Sequence, residues 1–260
     1  MISDIQQSEY LQSLAAAKFV QQGLLPQKRH FKRLFPDSFV FYAPQNIISG
    51  DFYWIGEKHG LKYIVVGDCT GHGVSAALLS VLALNLFEYV IMNKGIKKTN
   101  KILQEIDKKF IESFKDSDKI SFDTPWIDLS VLCIDYENNK VHYSSANRKI
   151  LHLNNKGEQT LFKGSKYPIG GWKIEEQRSF DSSSFKFKKN DSIYIGSDGF
   201  QDQIGGHKNK KYSSKRLHNF LVDIAHLPCN LQAEKLAIEF GGWKQKNEQV
   251  DDVCIVGLKL

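Results

Sequence analysis

Apolar residues along this chain recur in two patterns: short apolar or alternating runs typical of β-strands, and a spacing of three to four residues typical of helices. The first pattern predicts strands at 38–43, 51–57, 61–67, 126–136, 139–145, 149–153, 180–187, 191–197 and 252–259. The second predicts helices at 3–22, 73–93, 98–114 and, with a break near Pro228, 214–240. This order of elements favours an α+β layered sandwich, two antiparallel sheets flanked by helices, over an alternating βαβ fold.

The N-terminal segment is predicted to be a helix that leads into a linker. Residues 3–22 carry a rough apolar stripe among glutamines and serines, and Gly23 and Pro26 end the helix. A basic connector follows, and the sheet-rich body opens at Pro36. We therefore divide the chain into an N-terminal helix and linker, 1–26, and one body, 27–260.

Acidic residues stand at the ends of several predicted strands. Two apolar runs end in acid, at Asp68 and Asp198, and two begin with acid, at Asp51 and at Asp251. In an antiparallel sheet, the end of one strand and the start of its neighbour share an edge, so these four carboxylates are expected to meet. Carboxylates that meet raise one another's pKa unless cations compensate them, and oxygen ligands select hard cations such as Mg²⁺ or Mn²⁺.

Composition narrows the classes of function. The 260 residues are 42% apolar and 25% charged, as in an ordinary globular protein, and the net charge is +6. The densest basic stretch is 207–211, and no basic face with interleaved aromatic residues argues for nucleic-acid binding. The four cysteines lack CxxC spacing and no secretory leader opens the chain, which predicts reduced thiols and a cytoplasmic protein.

The apolar stretch 74–92 is long enough to span a bilayer. It also contains Ser75, Ser80, Asn85 and Glu88, and a glycine-rich acidic turn leads straight into it. A helix that is apolar nearly all round is either a membrane span or a buried core helix. We favour the core helix and predict no membrane span.

The glycine-rich turn GDCTGHG at 67–73 lies between a predicted strand and a predicted helix. Such a turn lets a carboxylate and a backbone carbonyl reach the same cation. Two alternatives are a purely structural turn and a phosphate-cradling loop, but the GxxxxGK[ST] and GxGxxG patterns of phosphate loops are both absent.

Four motifs in order resemble those of the SpoIIE-like branch of the PPM (PP2C-type) serine/threonine phosphatases: SGDFYW at 49–54, GDCTGHG at 67–73, SDGF at 197–200 and the acid pair at 251–252. The stretches YPIGG at 167–171 and DQIGG at 202–206 also resemble stretches common in bacterial members of this family. The stretch QQGLLP at 21–26 is similar to the helical linker that often precedes such domains. The resemblance implies a four-layer α-β-β-α sandwich and assigns 27–260 to the phosphatase domain.

The resemblance also implies roles for individual positions. Asp68 matches the carboxylate that bridges two metals, and Cys69 matches a position that ligates through its backbone carbonyl. Asp198 matches a ligand of one metal and Asp251 a ligand of the other. Asp51 matches an acidic residue that acts on the metals directly or through bound water.

The remaining implied roles are less direct. Asp252 is expected to support the metal ligands without contacting the metals itself. His72 is expected to lie beside the site. In the eukaryotic branch a histidine two positions after the bridging aspartate serves as general acid. Here that position is Thr70, so the general acid stays unassigned and His72 is as readily a helix-start residue that bonds the turn. No counterpart of the eukaryotic phosphate-binding arginine is evident, and substrate-binding residues stay unknown.

The chemistry implied is hydrolysis of phosphoserine or phosphothreonine by water activated between two divalent cations, Mn²⁺ or Mg²⁺. A thiol phosphatase built on Cys69 is disfavoured because no Cx₅R loop follows that residue. The resemblance suggests a phosphorylated STAS-domain partner, an anti-sigma-factor antagonist in partner switching, and residues 3–25 suit a coupling or homodimer-forming helix. Two alternatives stay open: a catalytically weak partner-binding module, and a hydrolase of small phosphoesters or nucleotides.

Overall fold

The computed structural model describes residues 4–114, 125–171 and 178–260, in which helices and strands alternate in blocks. The helices are α1 (Asp4–Leu24), α2 (Lys28–Leu34), α3 (Val74–Phe87), α4 (Thr99–Glu112), α5 (Gly199–Asp202), α6 (Ser214–Ile224) and α7 (Cys229–Lys244). A π-helical turn, Glu88–Asn93, extends α3. The strands are β1 (Ser38–Ala43), β2 (Asp51–Lys58), β3 (Leu61–Cys69), β4 (Trp126–Asp135), β5 (Lys140–Ala146), β6 (Lys149–Leu153), β7 (Gln159–Lys163), β8 (Ile169–Gly170), β9 (Ser183–Lys186), β10 (Ser192–Gly196), β11 (Ile204–Gly205), β12 (Lys210–Lys211) and β13 (Val253–Lys259).

Two antiparallel sheets form the body of the molecule. One has the strand order β1-β13-β10-β6-β7, and the other has the order β2-β3-β4-β5-β9 with β8 added beside β4. A short hairpin of β11 and β12 stands apart from both sheets. The chain starts one sheet with β1, builds most of the other with β2–β5, and then alternates between the two sheets up to β13. This arrangement confirms the predicted α+β fold.

Strand side chains separate into the layers by simple alternation. On β3, Ile64 and Val66 pack between the two sheets, whereas Val65 packs against the layer of α3 and α4. On β13, Val256 lies between the sheets, and Ile255 faces α6 and α7 on the opposite side. Because successive residues of a strand point to opposite faces, strands that are apolar throughout predict this covering of both faces.

The apolar helix α3 lies half in the core and half at the surface. By length and composition, 74–93 is the one helical segment among the described residues that is apolar enough to cross a membrane. Half of it is buried within the protein, where Ala83, Leu84 and Phe87 pack against the sheet. Its outer face leaves Val74 and Leu78 exposed, beside α1.

Several segments differ from the sequence-based expectation. The basic connector contains a short helix, α2, because Phe31 and Leu34 lie three residues apart and bury the same face against the sheets. The strand β7 was not predicted because it is an edge strand whose side chains are mostly exposed. The predicted N-terminal helix extends past Gly23 to Leu24, and its expected first residue, 3, lies outside the described residues.

Candidate active site

Three carboxylates lie side by side across three neighbouring strands. The register pairs Asp51 at the start of β2 with Asp68 near the end of β3, and pairs Asp68 in turn with Asp128 on β4. Directly opposed residues of antiparallel strands hold their Cβ atoms about 4.5–5.5 Å apart. Hydrogen bonding of the backbone therefore holds these three acids in one row.

The sheet that contains β10 and β13 contributes further acids at the strand ends that face this row. Asp198 follows β10, and Asp251 and Asp252 precede β13, which is the antiparallel neighbour of β10. The hydroxyl of Ser197 donates a hydrogen bond of 2.5 Å to Asp51 Oδ2 and so links the two sheets at this point. The structure thus brings together the acids that the sequence placed at strand ends, and Asp128 joins them.

Arg148, between β5 and β6, lies among these acids. Its Nη2 donates to Asp68 Oδ2 and lies 3.6 Å from Asp128 Oδ2, and its Nη1 lies 2.9 Å from Asp198 Oδ2. The preceding residue, Asn147, adopts a positive φ of 56° and donates through Nδ2 to Asp128 Oδ2 at 2.8 Å. One buried guanidinium therefore partly neutralises three carboxylates.

Sequence reasoning missed both Arg148 and Asp128. Asp128 lies inside an apolar strand rather than at its end, where an acid is itself a signal because burial of an uncompensated charge is costly. Arg148 follows a buried run ending in Ala146, and Asn147, which tolerates a positive φ, marks a turn there. Only the register shows that this turn reaches the acids.

The pKa values show that this fold disfavours ionisation of several of these carboxylates, first because they are buried. Burial raises the pKa of Asp51 well above its usual value, and repulsion from Asp68 raises it further. Burial also raises the pKa of Asp68 to about 8, against the opposing effect of Arg148. The pKa values of Asp128 and Asp251 are raised for the same first reason, burial.

Carboxylate oxygens without hydrogen-bond partners also indicate that the cluster can bind cations. Asp51 Oδ1 and Asp128 Oδ1 are buried and accept no hydrogen bond. Within the described residues, no three Asp, Glu, His or Cys side chains already surround one metal-sized position, and the guanidinium of Arg148 lies among the carboxylates. Buried carboxylate oxygens without partners fit hard divalent cations, provided that Arg148 withdraws to admit them.

Asp252 holds the loop that carries Asp51. Its Oδ1 accepts from the backbone of Gln45 and its Oδ2 from the backbone of Gly50, each at 2.7 Å. A Cβ at Gly50 would lie only 3.1 Å from the carbonyl oxygen of Cys69, so the glycine permits this close approach. The carbonyl assigned to metal binding therefore lies beside the loop that Asp252 orders.

Helix α1 is anchored to the same loop through Gln21. Its Nε2 donates to the carbonyl of Ser49 at 2.6 Å and to Ser80 Oγ at 2.9 Å, and its Oε1 accepts from the backbone N–H of Ser49 at 3.1 Å. Ser49 Oγ in turn accepts from the backbone N–H of Asp51 at 3.1 Å. A displacement of α1 would therefore act directly on the start of β2.

Two other residues singled out by the sequence lie apart from this network. His72 is exposed in the turn before α3, and within the described residues no hydrogen bond joins its side chain to the carboxylates. The Cys69 side chain is buried, and burial raises the pKa of its thiol well above the usual value. A thiol held neutral in this way is a poor nucleophile.

Comparison with known proteins adds independent findings. Residues 59–260 match the sequence model of the family described as Stage II sporulation protein E (SpoIIE). The phosphoserine phosphatase RsbP of Bacillus subtilis (strain 168) is 25% identical over 218 residues, covering 83% of this chain and 50% of RsbP. The chain thus spans about half the length of this curated relative.

Solved structures show the same architecture. The SiaA-PP2C domain of Pseudomonas aeruginosa has a TM-score of 0.86 at 25% identity, covering 98% of each chain. The PP2C phosphatase domain and regulatory fragment of SpoIIE from Bacillus subtilis has a TM-score of 0.67 at 20% identity, covering 86% of this chain and 63% of that chain. These likenesses confirm the predicted PP2C-like four-layer fold.

Proposed function

This chain belongs to the SpoIIE family of PP2C-type phosphatases, and from that premise we propose that it is a metal-dependent phosphoprotein phosphatase. The observation that carries the proposal is the cluster of buried and partly buried carboxylates around Arg148, in which burial raises the pKa values of Asp51 and Asp68. A cluster with raised pKa values at the junction of two sheets is costly to stability, and such sites are typical of function.

We assign the cation ligands as the sequence resemblance implies them. Two cations, either Mn²⁺ or Mg²⁺, would be held here. Asp68 would be a ligand of both, Asp198 a ligand of one and Asp251 a ligand of the other. Asp51 and the backbone carbonyl of Cys69 would complete the ligand set. Bound to these residues, divalent cations would supply an activated water and neutralise charge on the phosphoryl group. The unpartnered Oδ1 of Asp51 supports this assignment.

Arg148 is the proposed phosphate-binding residue. Binding of divalent cations to Asp68 and Asp198 would compete with the guanidinium for the same carboxylate oxygens. Released from them but still at the site, its planar guanidinium can donate two parallel hydrogen bonds to phosphoryl oxygens of a phosphoserine or phosphothreonine. Arg148, in the turn between β5 and β6, would thus take the place of the eukaryotic phosphate-binding arginine, for which the sequence showed no evident counterpart.

The proposed substrate is a phosphorylated protein, and the STAS-type partner suggested by the sequence resemblance is the first one to test. The hairpin of β11 and β12 follows Asp198 and presents the exposed Lys210 and Lys211. Their charge suits an acidic or phosphorylated protein surface. A cytoplasmic location is proposed as well, since all four cysteines are buried free thiols, as in reducing compartments.

Helix α1 is the proposed homodimer contact. Phe19 is 81% exposed, and Leu11, Val20 and Leu24 are exposed on the same helix. Exposed apolar residues on one helix are candidates for an interaction site, and the proposed partner is a second copy of α1 that covers Phe19.

The decisive experiment measures hydrolysis of a chromogenic phosphomonoester and of a phosphorylated STAS-domain protein, in EDTA, Mg²⁺ or Mn²⁺. Wild-type protein is expected to turn over both only with a metal, and Asp68→Asn to lose turnover while staying folded. The matched control is Asp223→Asn, which makes the same substitution at an exposed carboxylate on α6. Retained turnover in Asp68→Asn would overturn the metal assignment.

The alternatives are separated by adding nucleotides as substrates and a measurement of phosphoprotein binding. Absent turnover with every metal together with tight binding of the phosphoprotein would identify a partner-binding module. A strong preference for nucleotides or small esters over every phosphoprotein would identify a small-phosphoester hydrolase instead.

A further inference from the structure

A cavity of about 290 Å³ opens between the first sheet, at strands β6, β10 and β13, and helix α6. Most of its lining residues are polar, but five apolar or aromatic side chains form what we call its floor: Leu151, Tyr194, Leu217, Leu221 and Ile255. These side chains also belong to the packed layer between that sheet and the two C-terminal helices, so the floor is held rigidly. A pocket of this size is at the lower end of the range for ligand sites, about 300–1,000 Å³.

One end of this cavity is the carboxylate cluster itself. Asp128, Arg148 and Asp198 line the cavity as well as forming the cluster. A phosphoryl group bound at Arg148 would therefore stand at the entrance of an apolar pocket. The two features form one continuous surface rather than two separate sites.

The rim of the cavity is polar and lies on two elements. Ser214 and His218, four residues apart on α6, share one face of the helix and are 3.5 Å apart from Oγ to Nε2. Lys149 stands on the opposite side, next to Arg148. Burial and then the nearby Lys149 lower the pKa of His218, so the imidazole is neutral near pH 7 and imposes no charge on what enters.

We propose that this cavity is a specificity pocket that receives an apolar side chain of the protein substrate, one to three residues away from the phosphorylated serine or threonine. The inference rests on the proposed phosphatase function. An extended peptide advances about 3.3–3.6 Å per residue, so a flanking side chain reaches the cavity while the phosphoryl group lies at Arg148. The apolar floor and the neutral Ser214 and His218 match a leucine-like or methionine-like side chain, and the positive charge of Lys149 disfavours a basic one.

The test compares phosphoserine peptides that differ at a single flanking position, Ala, Leu, Glu or Lys, placed in turn from three residues before to three residues after the phosphoserine. Two variants fill the cavity from its rim, Ser214→Trp and His218→Trp, at half-buried positions where a larger side chain can be accommodated. Asn219→Trp places the same side chain on the exposed face of the same helix and is the control. Hydrolysis of a chromogenic phosphomonoester, which lacks flanking residues, is the reference.

Wild-type protein is expected to prefer Leu over Ala at one flanking position by about 10-fold or more in kcat/KM, the range of hydrophobic pockets. The two filled variants are expected to lose this preference through KM, and to keep kcat/KM for the chromogenic ester within about twofold of Asn219→Trp. Equal cleavage of all peptides by wild-type protein, or a preference retained in both filled variants, would overturn the pocket while leaving the phosphatase proposal intact. Cleavage of the chromogenic ester but of no phosphopeptide would overturn both the pocket and the proposed protein substrate.

Discussion

Replacing Asp68 by Asn should stabilise the protein in the absence of divalent cations, and more so as the pH rises. The pKa of Asp68 is raised from 3.8 to about 8, first by burial, so the folded protein takes up a proton that the unfolded chain releases. A group with a raised folded pKa gives its full stability below pH 3.8 and loses it as the pH rises through 8. Asn keeps the shape of the neutral acid and has no such dependence.

The magnitude follows from the width of this pH window. One proton is worth about 1.4 kcal/mol per pH unit, so three pH units between pH 5 and pH 8 give at most about 4 kcal/mol. The Asp68 side chain retains 18% exposure, and solvent screening reduces the effect. We therefore expect the advantage of Asp68→Asn to grow by about 2–4 kcal/mol over this range, or roughly 4–16 °C in Tm at about 2–4 °C per kcal/mol.

The assay is urea unfolding in EDTA at pH 5, 6, 7 and 8, with wild type, Asp68→Asn and the exposed control Asp223→Asn. Adding Mn²⁺ at 100 times its Kd should stabilise wild type by about 2.7 kcal/mol and should stabilise Asp68→Asn much less. A difference between wild type and Asp68→Asn that does not change with pH would refute the reasoning, because it would show that Asp68 is ionised in the metal-free fold.

Three further predictions concern residues around the cluster. Arg148→Ala should destabilise the metal-free protein by about 3–5 kcal/mol, because it leaves buried carboxylates unpaired. The loss of stability measured by denaturation should be smaller in saturating Mn²⁺. An equal loss with and without metal would contradict this prediction. Gln21→Ala should cost about 2 kcal/mol, because it leaves Ser49 backbone groups unsatisfied, and should lower kcat, whereas the exposed Gln22→Ala should change neither; unchanged kcat in both would separate α1 from the site. Phe19→Glu should convert a dimer to a monomer in light scattering, and a wild-type monomer at high concentration would disprove the α1 contact.

The sequence predicted the layered fold because its information is local and periodic. Strands such as 61–67 and 191–197 are apolar on both faces, which requires cover on both sides, and the structure supplies it by a second sheet and by helices. Short elements such as α2 and β7 were missed because few buried positions define them. Packing, rather than local propensity, stabilises such short segments.

The convergence of Asp51, Asp68, Asp198 and Asp251 was predictable because each acid marks the end of a strand, and antiparallel strands share their ends. The presence of Asp128 and Arg148 in the same cluster was decided by tertiary structure alone. Asp128 depends on the register of β4 against β3, and Arg148 depends on where the β5–β6 turn falls across two sheets. Sequence order specifies what each strand carries, but the distances between distant strands follow only from the packing of the whole chain.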